Sequence, residues 1–347
     1  MKALTEKLRS GMALDTADIR YAVSMLLAEN VADELKSDFL TALHTKGETA
    51  EEIGGFVETL MERAINPEID PAKLSGPMLD VCGTGGDGLD LFNVSTTIMF
   101  ILAAAGVPVV KHGNRSVTSL SGSADVLEAL GVRVHLSPDE VRQTLEQHGV
   151  AFIFARSYHP AFRALASMRE HLARKNQRTV FNLLGPLLNP ARPQRQLIGV
   201  FAQELTGTFA EVLRRLGRER AWVVHGLADS THGMDDISIC GPTIVAELED
   251  EKISSAVLDT QWLGLARCPF EELRGGKPAE NAATINGILS GEVKGAKRAM
   301  AVANAAGGFV VAGLARDLRE GIGLAQEQLD SGRALAKLRA LQNFQPA

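Results

Sequence analysis

The chain has 347 residues and a formal charge of −6, with 45% hydrophobic and 22% charged residues. These values lie close to average soluble usage and exclude a disordered chain, a collagen-like repeat and a disulfide scaffold. The length calls for a large domain plus a smaller one, or two domains, and suffices to bury a sizeable core. The mild acidity argues against a general nucleic-acid binder, which carries a basic face, yet leaves room for a local basic pocket that takes an anion.

Cys82, Cys240 and Cys268 are the three cysteines. They lack metal-ligand spacing, so neither a zinc site nor a disulfide framework is expected. The opening MKALTEKLRSGMALD mixes charge signs without an apolar core, unlike a secretory signal. The longest apolar stretch, Val94 to Val110, contains Ser95, Thr96, Thr97, Gly106 and Pro108. It is too short and broken for a membrane span. A cytoplasmic protein without a membrane partner is the expectation.

The first 70 residues read as three short helices. Ile19, Ala22, Val23, Leu26 and Leu27 form a helical stripe, with Asp15 or Thr16 as its cap. Leu35, Phe39, Leu40 and Leu43 form a second stripe, stopped by Gly47. Thr49-Ala-Glu-Glu52 is a capping box that opens a third. Residues 66–71 look like a linker. Strand-length apolar runs then appear at Met78–Cys82, Val107–Val110, Val150–Ala155, Gln196–Phe201, Ala221–His225 and Ile244–Leu248. Helical patterns lie between several of them. Ser137-Pro-Asp-Glu140 starts one such helix and Gly149 ends it. The tail from Pro278 is again helical. The expected fold is α/β: a small all-helical N-terminal domain over 1–70, which helices around 160–190 are candidates to join, and a larger α/β domain over 71–347 with a mostly parallel central sheet.

The densest chemistry lies in Asp80-Val-Cys-Gly-Thr-Gly-Gly-Asp-Gly88, followed by Phe92-Asn-Val-Ser-Thr-Thr97. A strand feeds a glycine-rich loop and the loop feeds a helix, an arrangement whose backbone N–H groups suit phosphate. Gly83, Gly85 and Gly88 match a dinucleotide fingerprint, which then wants an acidic residue about 20 positions on, after a second strand. That strand ends instead in the basic Lys111-His-Gly-Asn-Arg115, which counts against an oxidoreductase. Both cations sit at a strand's C-terminal end, where open α/β sheets place ligands. Ser116, Thr118, Ser119, Ser121, Gly122 and Ser123 follow and offer either phosphate donors or a helix cap.

The motifs GTGGD, FNVST, KHGNR, SGSADVLEALGV and FNLLGPLLNP, in this order, resemble those of anthranilate phosphoribosyltransferases of tryptophan biosynthesis, and the likeness runs essentially end to end. It implies a helical domain and an α/β domain with the site in the cleft between them, a homodimer formed through the helical domain, and Mg²⁺ as cofactor. The substrates implied are phosphoribosyl pyrophosphate (PRPP) and anthranilate, with no nucleic acid as partner. By the family pattern Gly83, Gly86, Asp87, Asn93, Ser95, Thr96, Lys111, Ser119 and Ser123 would hold PRPP. Gly83, His112, Asn114, Tyr158, Arg169 and Pro186 would meet anthranilate. Ser95, Asp235 and Asp236 would hold the metal. A pyrimidine nucleoside phosphorylase and a non-catalytic nucleic-acid-binding paralogue on the same fold are the rival readings. Three features depart from the family pattern: Asp236 stands where Glu is usual, Leu120 where many members have Lys, and Ala173–Arg178 is a longer segment, preceded by Ser167-Met168 where Pro-Val is common.

Overall fold

The structure, a computed structural model, describes residues 1–116, 119–165, 168, 172 and 177–346. The chain divides into two compact units. One comprises Met1–Asn66 and Arg156–Pro190; the other comprises Pro67–Ala155 and the chain from Ala191 onward.

The first unit opens with helices Lys2–Arg9, Thr16–Leu27, Asp33–Lys46 and Ala50–Met61. Local rules explain three of them. Asp15 and Asp18 form a reciprocal capping box, Gly47 follows Lys46 at positive φ, and Thr49 and Glu52 cap the last helix. The helix Lys2–Arg9 has only Leu4 and Leu8 as buried apolar positions, too few for a visible stripe. The return segment is tied to these helices by Ile65 N–H donating to Tyr158 O at 2.9 Å and by Gln177 donating to Thr41.

In the second unit, eight strands among the described residues form one sheet. They are β1 (Leu79–Gly83), β2 (Val109–Gly113), β3 (Val150–Phe154), β4 (Arg195–Gly199), β5 (Arg220–Leu227), β6 (Gly233–Met234), β7 (Thr243–Glu249) and β8 (Lys252–Leu258). The order is β3-β2-β1-β4-β5-β7-β8, with β6 also on β5. The neighbours from β3 through β5 are parallel, and β6, β7 and β8 attach antiparallel. The chain runs from β1 outward to β3, then crosses to β4 on the other side. The carboxyl ends around β1 and β4 are therefore a topological switch point, where such sheets bind ligands. The strongly apolar helix Val94–Ala104 packs against β1 and against the helix Ala296–Val311. Among the described residues no helix is long and apolar enough to cross a membrane.

Two differences from the sequence expectation have clear causes. The strand β8, Lys-Ile-Ser-Ser-Ala-Val-Leu, is exposed along its length, so it needs no apolar run. It joins β7 through Asp250 and Glu251, both at positive φ, the conformation of a tight hairpin turn. The second parallel strand begins at Val109 rather than Val107 and continues through Gly113. Lys111 and His112 therefore lie within the strand, not in the turn after it.

Candidate active site

Three strand ends are left without side chains by glycine, and one segment lies across them. A Cβ on Gly83, at the end of β1, would fall 2.2 Å from Asp235 Oδ2. One on Gly199, at the end of β4, would fall 1.6 Å from the Asp235 carbonyl oxygen, and one on Gly226 of β5 would fall 2.5 Å from that of Asp236. No side chain fits there. Beyond Gly83 the loop turns through Gly85, Gly86 and Gly88 at φ of +67°, +81° and +76°, which L-residues adopt only with strain. That turn brings the Gly85 N–H to donate to Asp235 Oδ2 at 2.7 Å. The glycine loop and the acidic pair are thus one piece of architecture. The role of Gly199 and Gly226 was hidden in the sequence, where a single strand glycine has many explanations.

Asp87, Asp235 and Asp236 repel one another. Burial and then the Asp235 charge push Asp87 up to about 7. Burial, followed by the charges of Asp235 and Asp87, raises Asp236 well above the usual carboxylate range, with Lys111 opposing. Lys111 is 2% exposed. Its Nζ donates to Val81 O at 2.6 Å and to Ser95 Oγ at 3.0 Å, and burial lowers its pKa.

Ser95, Asp235 and Asp236 line one small cavity with Cys82, Gly199 and Asn304. A serine hydroxyl and mutually repelling carboxylates form a hard oxygen donor set that a divalent cation would relieve. Among the described residues no group of three or more His, Cys, Asp or Glu side chains could cage a metal. A partial set suits Mg²⁺, which commonly takes one or two carboxylates and completes its shell with substrate phosphates and water.

The candidate phosphate donors lie around the same strand ends. Thr96 Oγ1 and Ser121 Oγ are buried and have no hydrogen-bond partner among the described residues. Buried hydroxyls of this kind call for a partner. The sequence places Thr96 in the site and offers Ser121 as either a phosphate donor or a helix cap. Asn93 donates to Ser121 O at 3.0 Å and accepts from Asn281 Nδ2 at 2.8 Å, so its amide holds the motif together. Ser123 donates to Asn114 O at 3.3 Å, and Ser119 shares a hydrogen bond with Ser116. Arg115 is engaged by Asp125 and Glu128. The basic turn therefore offers less free charge than its sequence suggests. Thr118 lies outside the described residues.

Of the residues expected to meet anthranilate, Gly83, His112 and Asn114 belong to the second unit. The His112 N–H donates to Asp80 Oδ1 at 3.3 Å, and Asn114 Oδ1 accepts from Arg115 N–H at 2.8 Å. Tyr158 and Pro186, both buried, belong to the first unit. Arg169 and residues 173–176 lie outside the described residues. Leu120 is 56% exposed, and its N–H donates to Asp90.

Two family models cover nearly the whole chain: the a/b domain of a glycosyl transferase family matches residues 75–335, and the helical bundle domain of the same family matches residues 2–64. The chain is 43% identical over 346 residues to the anthranilate phosphoribosyltransferase of Methanosarcina acetivorans, covering 99% of this chain and 90% of that one. The chain belongs to the anthranilate phosphoribosyltransferase family. The family member of Natronomonas pharaonis is 42% identical, with full coverage of both chains. Among solved structures, the family member of Thermus thermophilus superposes with a TM-score of 0.88 at 39% identity over 98% of both chains. That of Saccharomyces cerevisiae, in complex with PRPP and Mg, gives 0.85 at 26% identity over 98% of this chain and 96% of that one.

Proposed function

We propose that this chain transfers the phosphoribosyl group of PRPP to the amine of anthranilate, giving N-(5-phosphoribosyl)anthranilate and pyrophosphate, in tryptophan biosynthesis. The observation that carries this is the glycine loop clasping Asp235 beside the buried, unpartnered hydroxyls of Thr96 and Ser121. A polyanion needs both N–H or O–H donors and countercharge; the hydroxyls are the donors, and the countercharge would come from the divalent cation that the acidic pair would hold.

Ser95, Asp235 and Asp236 would hold Mg²⁺, which when bound neutralises charge on the departing pyrophosphate. The loop of Gly83, Gly86 and Asp87 would seat PRPP, with Asn93, Thr96, Ser119 and Ser123 around its phosphates. Lys111 acts from beneath by orienting Ser95. No covalent nucleophile is required. Positioning of the amine against ribose C1 and stabilisation of charge carry the reaction. His112, Asn114, Tyr158 and Pro186 would line the acceptor site, and Arg169 would meet the anthranilate carboxylate, which a guanidinium fork matches. A homodimer through the helical unit fits its exposed Met12 and Tyr21, and a cytoplasmic setting fits these substrates.

The test is loss of anthranilate fluorescence with protein, PRPP and Mg²⁺, omitting each in turn. Loss that requires all three supports the reading. No loss from folded protein defeats it, and phosphorolysis of a pyrimidine nucleoside without PRPP would put the phosphorylase reading in its place.

A further inference from the structure

Asp235 and Asp236 sit between β6 and β7 on backbone that is neither helix nor strand. Buried backbone of this kind must find hydrogen-bond partners outside any ladder. Ile237, the next residue, is fully buried. One side chain meets both of its main-chain polar groups. Its N–H donates to Asn304 Oδ1 at 2.8 Å, and its C=O accepts from Asn304 Nδ2 at 2.9 Å. The other Nδ2 proton goes to Met300 O at 3.0 Å, which fixes the orientation of the amide.

The helix Ala296–Val311 does not call for this residue. Asn304 lies at 2% exposure between Ala303 and Ala305, where alanine is the better helix former. A buried amide is tolerated only when it is hydrogen-bonded. Asn304 also lines the cavity that Ser95, Asp235 and Asp236 share. The acidic pair is thus held on both flanks, by the Gly85 N–H at Asp235 and by Asn304 at Ile237.

We propose that Asn304 is a positioning residue, whose carboxamide clasps the Ile237 backbone and thereby sets Asp235 and Asp236 in the geometry that takes a divalent cation. This rests on the reading of that pair as the metal site.

The experiment is titration of the full-length protein with Mn²⁺, followed by electron paramagnetic resonance, for the wild type, Asp236→Asn, Asn304→Ala and Asn304→Asp. The aspartate keeps the size and the acceptor but cannot donate to the Ile237 carbonyl. The expected result is Mn²⁺ binding by the wild type, loss in Asp236→Asn, and weakening by about tenfold or more in both Asn304 variants, as for other residues that orient metal ligands. The KM for anthranilate should stay within about twofold, a split that general loosening of the fold would not produce. Wild-type affinity in folded Asn304 variants overturns the clasp alone. Failure of the wild type to bind, or equal binding by Asp236→Asn, overturns the metal reading and the clasp with it. A second measurement needs no variant. If the clasp favours the metal-bound geometry, the metal must favour the clasp by the same factor. Mg²⁺ should therefore slow hydrogen exchange at the Ile237 amide of the wild type, and an unchanged rate overturns the proposal.

Discussion

The Lys111 ammonium, carried on β2, donates to the hydroxyl of Ser95 at 3.0 Å, on the first turn of the helix Val94–Ala104. Its other bond, at 2.6 Å, goes to Val81 O on β1. The lysine thus fixes one proposed metal ligand and ties two strands instead of reaching into solvent. Replacing it by the apolar, similarly sized methionine leaves Ser95 unheld and removes a positive charge facing Asp235 and Asp236. A hydrogen bond to a charged group contributes about 1.5–3 kcal/mol. Lys111→Met should lower kcat/KM for PRPP by roughly 10- to 100-fold. Steady-state kinetics with PRPP varied would check this, and a change under twofold would assign Lys111 to the fold alone.

The carboxylates of Asp87, Asp235 and Asp236 oppose one another when no cation is present. Removing one charge should stabilise the metal-free protein while it damages the site, a common trade at functional positions. Asp235→Asn retains an oxygen able to accept from the Gly85 N–H. Its metal-free Tm should therefore rise by about 2 °C, and the Mg²⁺-dependent rise expected of the wild type should vanish. Calorimetry with and without Mg²⁺ measures both. A lower Tm with the Mg²⁺ response intact would mean that the repulsion is not relieved at this position.

What the sequence made legible was mostly local. The boxes at Thr49 and Glu52 and at Ser137 and Glu140 involve residues three apart, so pattern reveals them. The glycine loop shows itself because several glycines at positive φ must cluster. The direction of Lys111 was not legible, since β2 starts two residues later than its apolar run. Gly199, Asn281 and Asn304 act on chain far from them in sequence, at distances set only by the fold. For Arg169 the expectation rests on motif position alone.

The Cys240 and Cys268 sulfurs lie 3.9 Å apart as free thiols. Burial, with Cys268 adding to it, pushes Cys240 up to about 12, and burial raises Cys268 and Cys82 as well. The thiolate is the reactive form. In native protein at pH 7.5 Cys240 should therefore react with iodoacetamide at least about 100-fold more slowly than free cysteine, Cys268 and Cys82 should also react more slowly than free cysteine, and all three sites should react once it is unfolded. Mass spectrometry over time would show this. Rapid single labelling of the native protein would mean that one thiol is activated.

His159 sits at 3% exposure with Nε2 bonded to Leu188 O at 2.8 Å, so its neutral ring donates from Nε2. Burial holds its pKa below the ordinary 6.5, against the opposing effect of that bond. Burial, together with the Lys337 charge, lowers His148 in the same direction. A base depressed in the folded state is matched by an unfolded chain that takes up protons first as pH falls. Its contribution is complete above about pH 6.5 and is lost progressively below it. Asp87 and Asp236, raised in the fold, act in the opposite sense between pH 7 and pH 5, so the His159 contribution is read as a difference between two proteins that share them. His159→Gln keeps an N–H donor for Leu188 but does not titrate in this range, so its Tm should gain on that of the wild type as pH falls from 7 to 5. Equal slopes for the two proteins would show that His159 takes up its proton without opposing the fold.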